Sequence, residues 1–83
     1  MKIQLRYFAS LREALGASED LQVPEASTVG ALRDLLLARG GRHAELLGRN
    51  RAVRCALNQV LCDESAVLSD GAEVAFFPPV TGG

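Results

Sequence analysis

Thr28-Val29-Gly30-Ala31-Leu32-Arg33-Asp34-Leu35-Leu36-Leu37-Ala38-Arg39-Gly40-Gly41 carries the clearest helical period in this chain of 83 residues. Val29, Leu32, Leu35 and Leu36 recur at the spacing of one helix face, Thr28 is a suitable N-cap, and Gly40-Gly41 end the run. Upstream, Met1, Ile3, Leu5 and Tyr7 alternate with Lys2, Gln4 and Arg6, so residues 1–8 predict a strand with one wet face, and Phe8 falls on the outward parity. A short helical turn over residues 10–15 stops at Gly16, and Leu21 and Val23 predict a second strand closed by Pro24. Downstream lies a polar, arginine-rich stretch, followed by alternation of Val53, Cys55 and Leu57 with Arg54, Ala56 and Asn58. Asn58-Gln59 predicts a turn into a short strand around Val60-Leu61. Asp70-Gly71 predicts another turn, into a last strand over residues 73–77.

The predicted order is strand, strand, helix, strand, short strand, strand. One helix laid across a mixed sheet of four to five strands buries the main apolar stripe, giving an α+β chain of β-grasp (ubiquitin-like) order. The expected division is a domain over residues 1–77 and an extended tail over residues 78–83.

At this length the chain is one domain, and a domain of this size buries only about 60% of the surface its unfolded chain exposes. Little core is left for a deep pocket, so function is expected at a surface or a tail. The net charge of −1, with both signs intermixed, lacks the basic stripe of a nucleic-acid binder. Arg39, Arg42, Arg49, Arg51 and Arg54, with His43 among them, read either as a solvated face or as contacts to a protein partner. No apolar run approaches the roughly 20 residues needed to cross a bilayer, and the N-terminus lacks a signal-peptide core. A cytoplasmic protein is the expectation.

Cys55 and Cys62 form no disulfide scaffold and match no zinc spacing, so no metal is expected. Cys55 reads as a buried structural thiol, and Cys62 lacks the paired base of a nucleophile. His43 reads as an ordinary surface residue. No Ser/His/Asp set or phosphate loop is present; Gly40-Gly41 lack the Lys-Ser/Thr that would follow one. An autonomous enzyme is the least favoured class, and no bound cofactor is expected.

The end of the chain carries the most specific information. Glu73-Val74-Ala75-Phe76-Phe77-Pro78-Pro79-Val80-Thr81-Gly82-Gly83 leaves a strand, passes two prolines and stops on two glycines. Prolines cannot donate to a sheet ladder and favour extended backbone. Six extended residues reach roughly 20 Å, at ~3.3–3.6 Å each, far enough to enter another protein's active site. Gly82 and Gly83 offer a backbone without Cβ that can thread a narrow channel, with an unhindered carboxylate at its tip. The plain alternative is a frayed, glycine-rich terminus. At about 7% glycine usage, two terminal glycines arise by chance roughly once in 200 chains, which makes chance a poor explanation.

These residues resemble the C-terminus of the small, sulfur-carrying subunits of molybdopterin synthase. Tyr7-Phe8-Ala9, Arg12-Glu13, Gly16, Asn58-Gln59 and Leu68-Ser69-Asp70-Gly71 extend the resemblance over the whole chain. The arginine-rich middle shows no matching pattern. The resemblance implies that an ATP-using, E1-like enzyme adenylates Gly83, and that a sulfur donor protein then supplies sulfur to form a thiocarboxylate. It further implies that the tip enters the large synthase subunit, in a heterotetramer, and delivers sulfur to precursor Z (cyclic pyranopterin monophosphate) for the molybdenum cofactor. Gly83 is then a consumable reactant, Gly82 the threading residue, and the catalytic pocket belongs to the large subunit. Phe8, Leu61 and Phe77, off the inward register, resemble the family's docking face, with Pro78, Pro79, Val80 and Thr81 leading from it. Phe8 or Leu61 could instead complete a small second core. Related readings are a carrier for thiamine, cysteine or tRNA thiolation, a ubiquitin-like modifier joined to lysines through Gly83, and a β-grasp binding module with an inert tail.

Overall fold

In the computed structural model, which describes residues 1–79, the N-terminal strand β1 (Lys2–Tyr7) alternates without error: Ile3, Leu5 and Tyr7 are buried, while Lys2, Gln4 and Arg6 face solvent. It is followed by α1 (Ala9–Leu15), β2 (Ser18–Gln22), α2 (Val29–Leu37), α3 (Gly41–Leu47), β3 (Arg54–Leu57), β4 (Val60–Cys62) and β5 (Glu73–Phe77). The sheet order is β2-β1-β5-β3-β4; β1 and β5 run parallel and every other pair is antiparallel. This is the expected β-grasp arrangement, with β5 at the centre.

Local chemistry explains where the elements start and stop. The Thr28 hydroxyl accepts the Ala31 N–H at 3.1 Å, capping α2 as its position predicts. The next two amides, Val29 and Gly30, donate to the carbonyls of Ala66 and Glu64, so the helix start is seated on the 64–66 loop. A side chain at Gly30 would crowd that loop, since a Cβ there would lie 3.2 Å from the Glu64 carbonyl oxygen. Asn58 and Gln59 both take positive φ, 50° and 69°, the backbone of a two-residue hairpin turn. Asn58 also ties that turn to the centre of the sheet: its Oδ1 accepts the Glu73 N–H and its own N–H donates to the Glu73 carbonyl. Asp70-Gly71, at the same end of the sheet, is tied to β1 in the same way: Asp70 Oδ1 accepts the Lys2 N–H and Gly71 donates to the Lys2 carbonyl.

Ile3, Leu5, Tyr7, Val74 and Phe76 from the sheet meet Val29, Leu32 and Leu36 of α2, Leu11 of α1 and Leu47 of α3 in one core. Two expectations need correction. Leu35, counted in the apolar stripe of α2, is exposed, and the position beside Leu32 that is buried instead is Arg33. The arginine-rich stretch, which has no element in the predicted order, contains a helix, since residues 41–47 form α3. Gly40, with φ of 72°, both ends the preceding helical segment and turns the chain into α3.

Arg33 explains how a charge is accommodated there. Its Nε donates to the Leu47 carbonyl at 2.7 Å, Nη2 donates to the Gly48 carbonyl at 2.8 Å, and Nη1 meets Glu64 Oε2 at 2.8 Å. The guanidinium thus satisfies carbonyls left over at the end of α3 and bolts α2 to α3 and to the 63–66 loop. Arg49 joins the cluster from outside through Asp34 and Glu64.

Candidate functional site: the outer face of the sheet

The helices cover one face of the sheet, and the strand register defines what the other face offers. Arg6 lies beside Ala75, Ala75 beside Ala56, and Ala56 beside Leu61, a continuous row across β1, β5, β3 and β4. The neighbouring row pairs Phe77 with Arg54. Phe8 follows β1 directly and its N–H donates to the Phe76 carbonyl at 3.2 Å, which keeps it beside β5. Paired residues share a face, so Phe77, Leu61, Ala75 and Ala56 lie together on the side away from the helices. The Arg6 guanidinium stacks over the Phe8 ring at 5.4 Å, which places Phe8 on that same side.

The face is apolar at its centre and charged at its edge. Ala75 and Ala56 are buried although no helix covers them, and their short side chains leave a low floor between larger neighbours. Phe77 is half-buried, Phe8 is 39% exposed and Leu61 is 63% exposed. Arg6, in contact with Glu73 at 3.7 Å, and Arg54 supply charge at the rim. The three residues singled out from parity are therefore brought to one surface. Neither Phe8 nor Leu61 is taken into a second core. Ala75 and Ala56, which connect them, escaped the sequence reading because alanine signals neither burial nor contact.

β5 ends at Phe77, and Pro78 and Pro79 continue half-buried outside any strand. Val80, Thr81, Gly82 and Gly83 lie outside the described residues.

The remaining candidates separate into structural roles. Arg39 forms a two-pronged pair with Glu19 at 2.7 and 2.9 Å, and these hydrogen bonds raise its pKa. Arg49 is raised by its hydrogen bonds to Asp34 and Glu64. Burial pushes Glu64 upward, but the bonds from Arg49 and Arg33 outweigh it and hold the carboxyl below its ordinary value. Two of the five segment arginines, Arg39 and Arg49, thus brace the fold, although all five are exposed. His43 is not a plain surface residue. It is half-buried, with its ring edge-on to Tyr7 at 6.4 Å between centroids and its Nε2 3.5 Å from Arg39 Nη1.

Tyr7 Oη has no hydrogen-bond partner among the described residues, and burial, then the nearby Glu19 carboxylate, raises its pKa well above the ordinary phenol. Cys55 is buried as expected, and Cys62, half-buried, faces it across β3 and β4. Burial first, and then the neighbouring Cys62 thiol, push the Cys55 thiol up to about 12, which makes it a poor nucleophile at neutral pH. No group of three or more potential metal ligands occurs among the described residues. No helix among them is long and apolar enough to cross a membrane.

A β-grasp domain with an apolar outer sheet face continuous with its last strand defines the class of ubiquitin-like proteins. The chain belongs to the ThiS family, whose match runs over residues 5–83. It is 41% identical over 81 residues to the molybdopterin synthase sulfur carrier subunit of Escherichia coli, covering 98% of this chain and 99% of that one. The protein of the same name from Mycobacterium tuberculosis is 36% identical over 85 residues, covering 100% of this chain and 99% of its own. Among solved structures, the chain resembles one in the complex of subunits 1 and 2 of the molybdopterin-converting factor from Helicobacter pylori. That likeness has a TM-score of 0.70 at 27% identity and covers both chains completely.

Proposed function

We propose that this chain is the sulfur carrier subunit of a molybdopterin synthase and acts through its Gly83 carboxylate. The observation that carries the proposal is the position of Phe77. It ends the central strand on the apolar outer face, and in sequence it leads directly through Pro78 and Pro79 toward Gly82-Gly83, which supports a docking role for that face. The likeness to named sulfur carriers over nearly the whole length of both chains, and a family match that runs to Gly83, support the choice of chemistry.

A free carboxylate is a poor electrophile. In this reading an ATP-using, E1-like partner converts Gly83 to an acyl-adenylate and releases pyrophosphate. A sulfide equivalent from a sulfur donor protein then displaces AMP and leaves a thiocarboxylate. Nucleotide binding belongs to the activating enzyme, so the carrier needs no cofactor of its own. Phe8, Leu61 and Phe77 dock on the large subunit, within a heterotetramer. Pro78, Pro79, Val80 and Thr81 direct the tip into that subunit's pocket, and Gly82 passes its narrowest part. There the sulfur moves to precursor Z, and hydrolysis returns the carboxylate. The large subunit supplies the pterin pocket and the proton transfers. The cycle places the protein in the cytoplasm.

The test is an intact mass spectrum of the untagged protein after incubation with ATP, the activating enzyme and a sulfur source. The expected result is replacement of one oxygen by sulfur, localised to Gly83, and its loss when one alanine is added after Gly83. Unchanged mass beside a working control carrier would refute a sulfur carrier. Amide-linked conjugates to lysines in place of the exchange would identify a protein modifier.

A further inference from the structure

Apart from the outer face, one pair of reactive groups has no part in the proposed cycle. Cys55 and Cys62 are direct partners across the antiparallel β3–β4 pair, with their sulfurs 3.8 Å apart. Opposed residues in such a pair have Cα atoms about 4.5 or 5.5 Å apart, and both values fall within the roughly 4.4–6.8 Å span that a disulfide bridges. Closing from 3.8 Å to a bond of about 2.05 Å needs side-chain rotation and no change of register. Cys55 is held in place, with its Sγ donating to the Cys62 carbonyl at 3.3 Å.

The two thiols also have a way in. Together with Val53, Arg54, Asp63 and Glu64 they line an open cleft of about 320 Å3 at the end of the hairpin. The groups differ as an exchange reaction requires. Cys62 is half-buried and reachable from the cleft, whereas Cys55 is buried behind it. Part of what keeps Cys55 protonated is Cys62 itself, through its hydrogen bond and the cost of two adjacent thiolates. That part disappears once the Cys62 sulfur is covalently occupied.

We propose that Cys55 and Cys62 form a thiol–disulfide site, closed by an exchangeable low-molecular-weight disulfide into a cross-strand bond that fixes edge strand β4 to β3. The Cys62 thiolate attacks the small disulfide, forming a mixed disulfide and expelling one small thiolate. Cys55 then gives up its proton and attacks the Cys62 sulfur, expelling the second. The two protein thiols are oxidised and one small disulfide is reduced to two thiols. β4 is short, lies at the sheet edge and carries Leu61 on its opposite side, so the bond steadies the strand that bears a docking residue. Only this last consequence rests on the proposed docking face; the exchange itself is independent of it.

The experiment uses the free, full-length chain equilibrated with oxidised glutathione, then alkylated and weighed intact without reductant. The expected product is a monomer lighter by two hydrogens, with neither thiol alkylated, restored to two alkylated thiols by dithiothreitol. The amides of β4 should exchange several-fold more slowly in this form. Cys55→Ala should accumulate one glutathione adduct on Cys62, and Cys62→Ser should take up none while folded. A wild-type chain that retains a stable glutathione adduct, or forms linked dimers in place of the oxidised monomer, would overturn the proposal. So would two thiols that stay alkylatable under conditions where Cys55→Ala is modified.

Discussion

The inner and outer faces of the sheet are built by the same strands from alternate residues, yet they spend their apolar side chains differently. Facing the helices, β1 and β5 offer Ile3, Leu5, Tyr7, Val74 and Phe76, all essentially inaccessible to solvent. Facing outward, the central positions are Ala75 and Ala56, and the larger residues Phe8, Phe77 and Leu61 stand around them partly exposed. The inner face follows the demand of close packing, where a large side chain belongs at every point. The outer face has its bulk at the margin and little in the middle, the arrangement of a surface that receives another surface.

Substitutions can break this contrast. Phe76→Ala should cost about 3–5 kcal/mol by opening a cavity in the inner layer, read as a shift of the urea midpoint. For a domain with about a tenth of a kcal/mol of stability per residue, roughly 8 kcal/mol in all, that is a large fraction. Arg33→Ala should cost about 3 kcal/mol by the same measurement, near the lower end for a buried pair, because Glu64 retains solvent and Arg49. Phe77→Asp, one residue from Phe76, should reverse the pattern. It should cost only about 1 kcal/mol of stability but weaken binding to the large subunit by about 2 kcal/mol, roughly 30-fold. Unchanged affinity in a binding assay would remove the outer face as the docking surface.

The smallest expected effect is with pH. The folded protein holds Glu64 below its ordinary value, so its contribution is complete above the unfolded carboxyl range, about pH 4.3, and is lost as pH falls through the lowered folded value. Asp63, lowered by hydrogen bonds from Ser65, acts in the same direction. Glu64→Gln should therefore flatten, without abolishing, the loss of stability seen by urea titration below about pH 4.3.

Much of this was legible because the signals were local. The alternation of β1, the Thr28 cap, the Asn58-Gln59 and Asp70-Gly71 turns and the off-register Phe8 and Phe77 each depend on neighbours within a few residues. The parts that were not legible depend on distant partners. α3 is short, holds a single fully buried residue, Leu47, and begins with a glycine that reads as a stop. Arg33 looks like a solvent residue until the carbonyls of α3 and the Glu64 carboxylate arrive to receive it. The cysteine pairing lay within reach of the sequence, because a two-residue turn at Asn58-Gln59 sets Cys55 opposite Cys62; their burial and the distance between their sulfurs needed the fold.

The central place of β5 has a consequence for the order in which the molecule is assembled. β1 with β2, and β3 with β4, are connected nearby in the chain and can pair early, but they share no ladder with each other. Within the sheet, among the described residues, β5 alone joins them, and its partners in β1 lie almost the full length of the chain away. Closing such a distant contact costs loop entropy before it is rewarded, so the docking of β5 on β1 is expected to slow folding. A chain emerging from the ribosome cannot complete its sheet until residues 73–77 are free. The strand that leads to the diglycine is therefore also the last piece needed to complete the sheet.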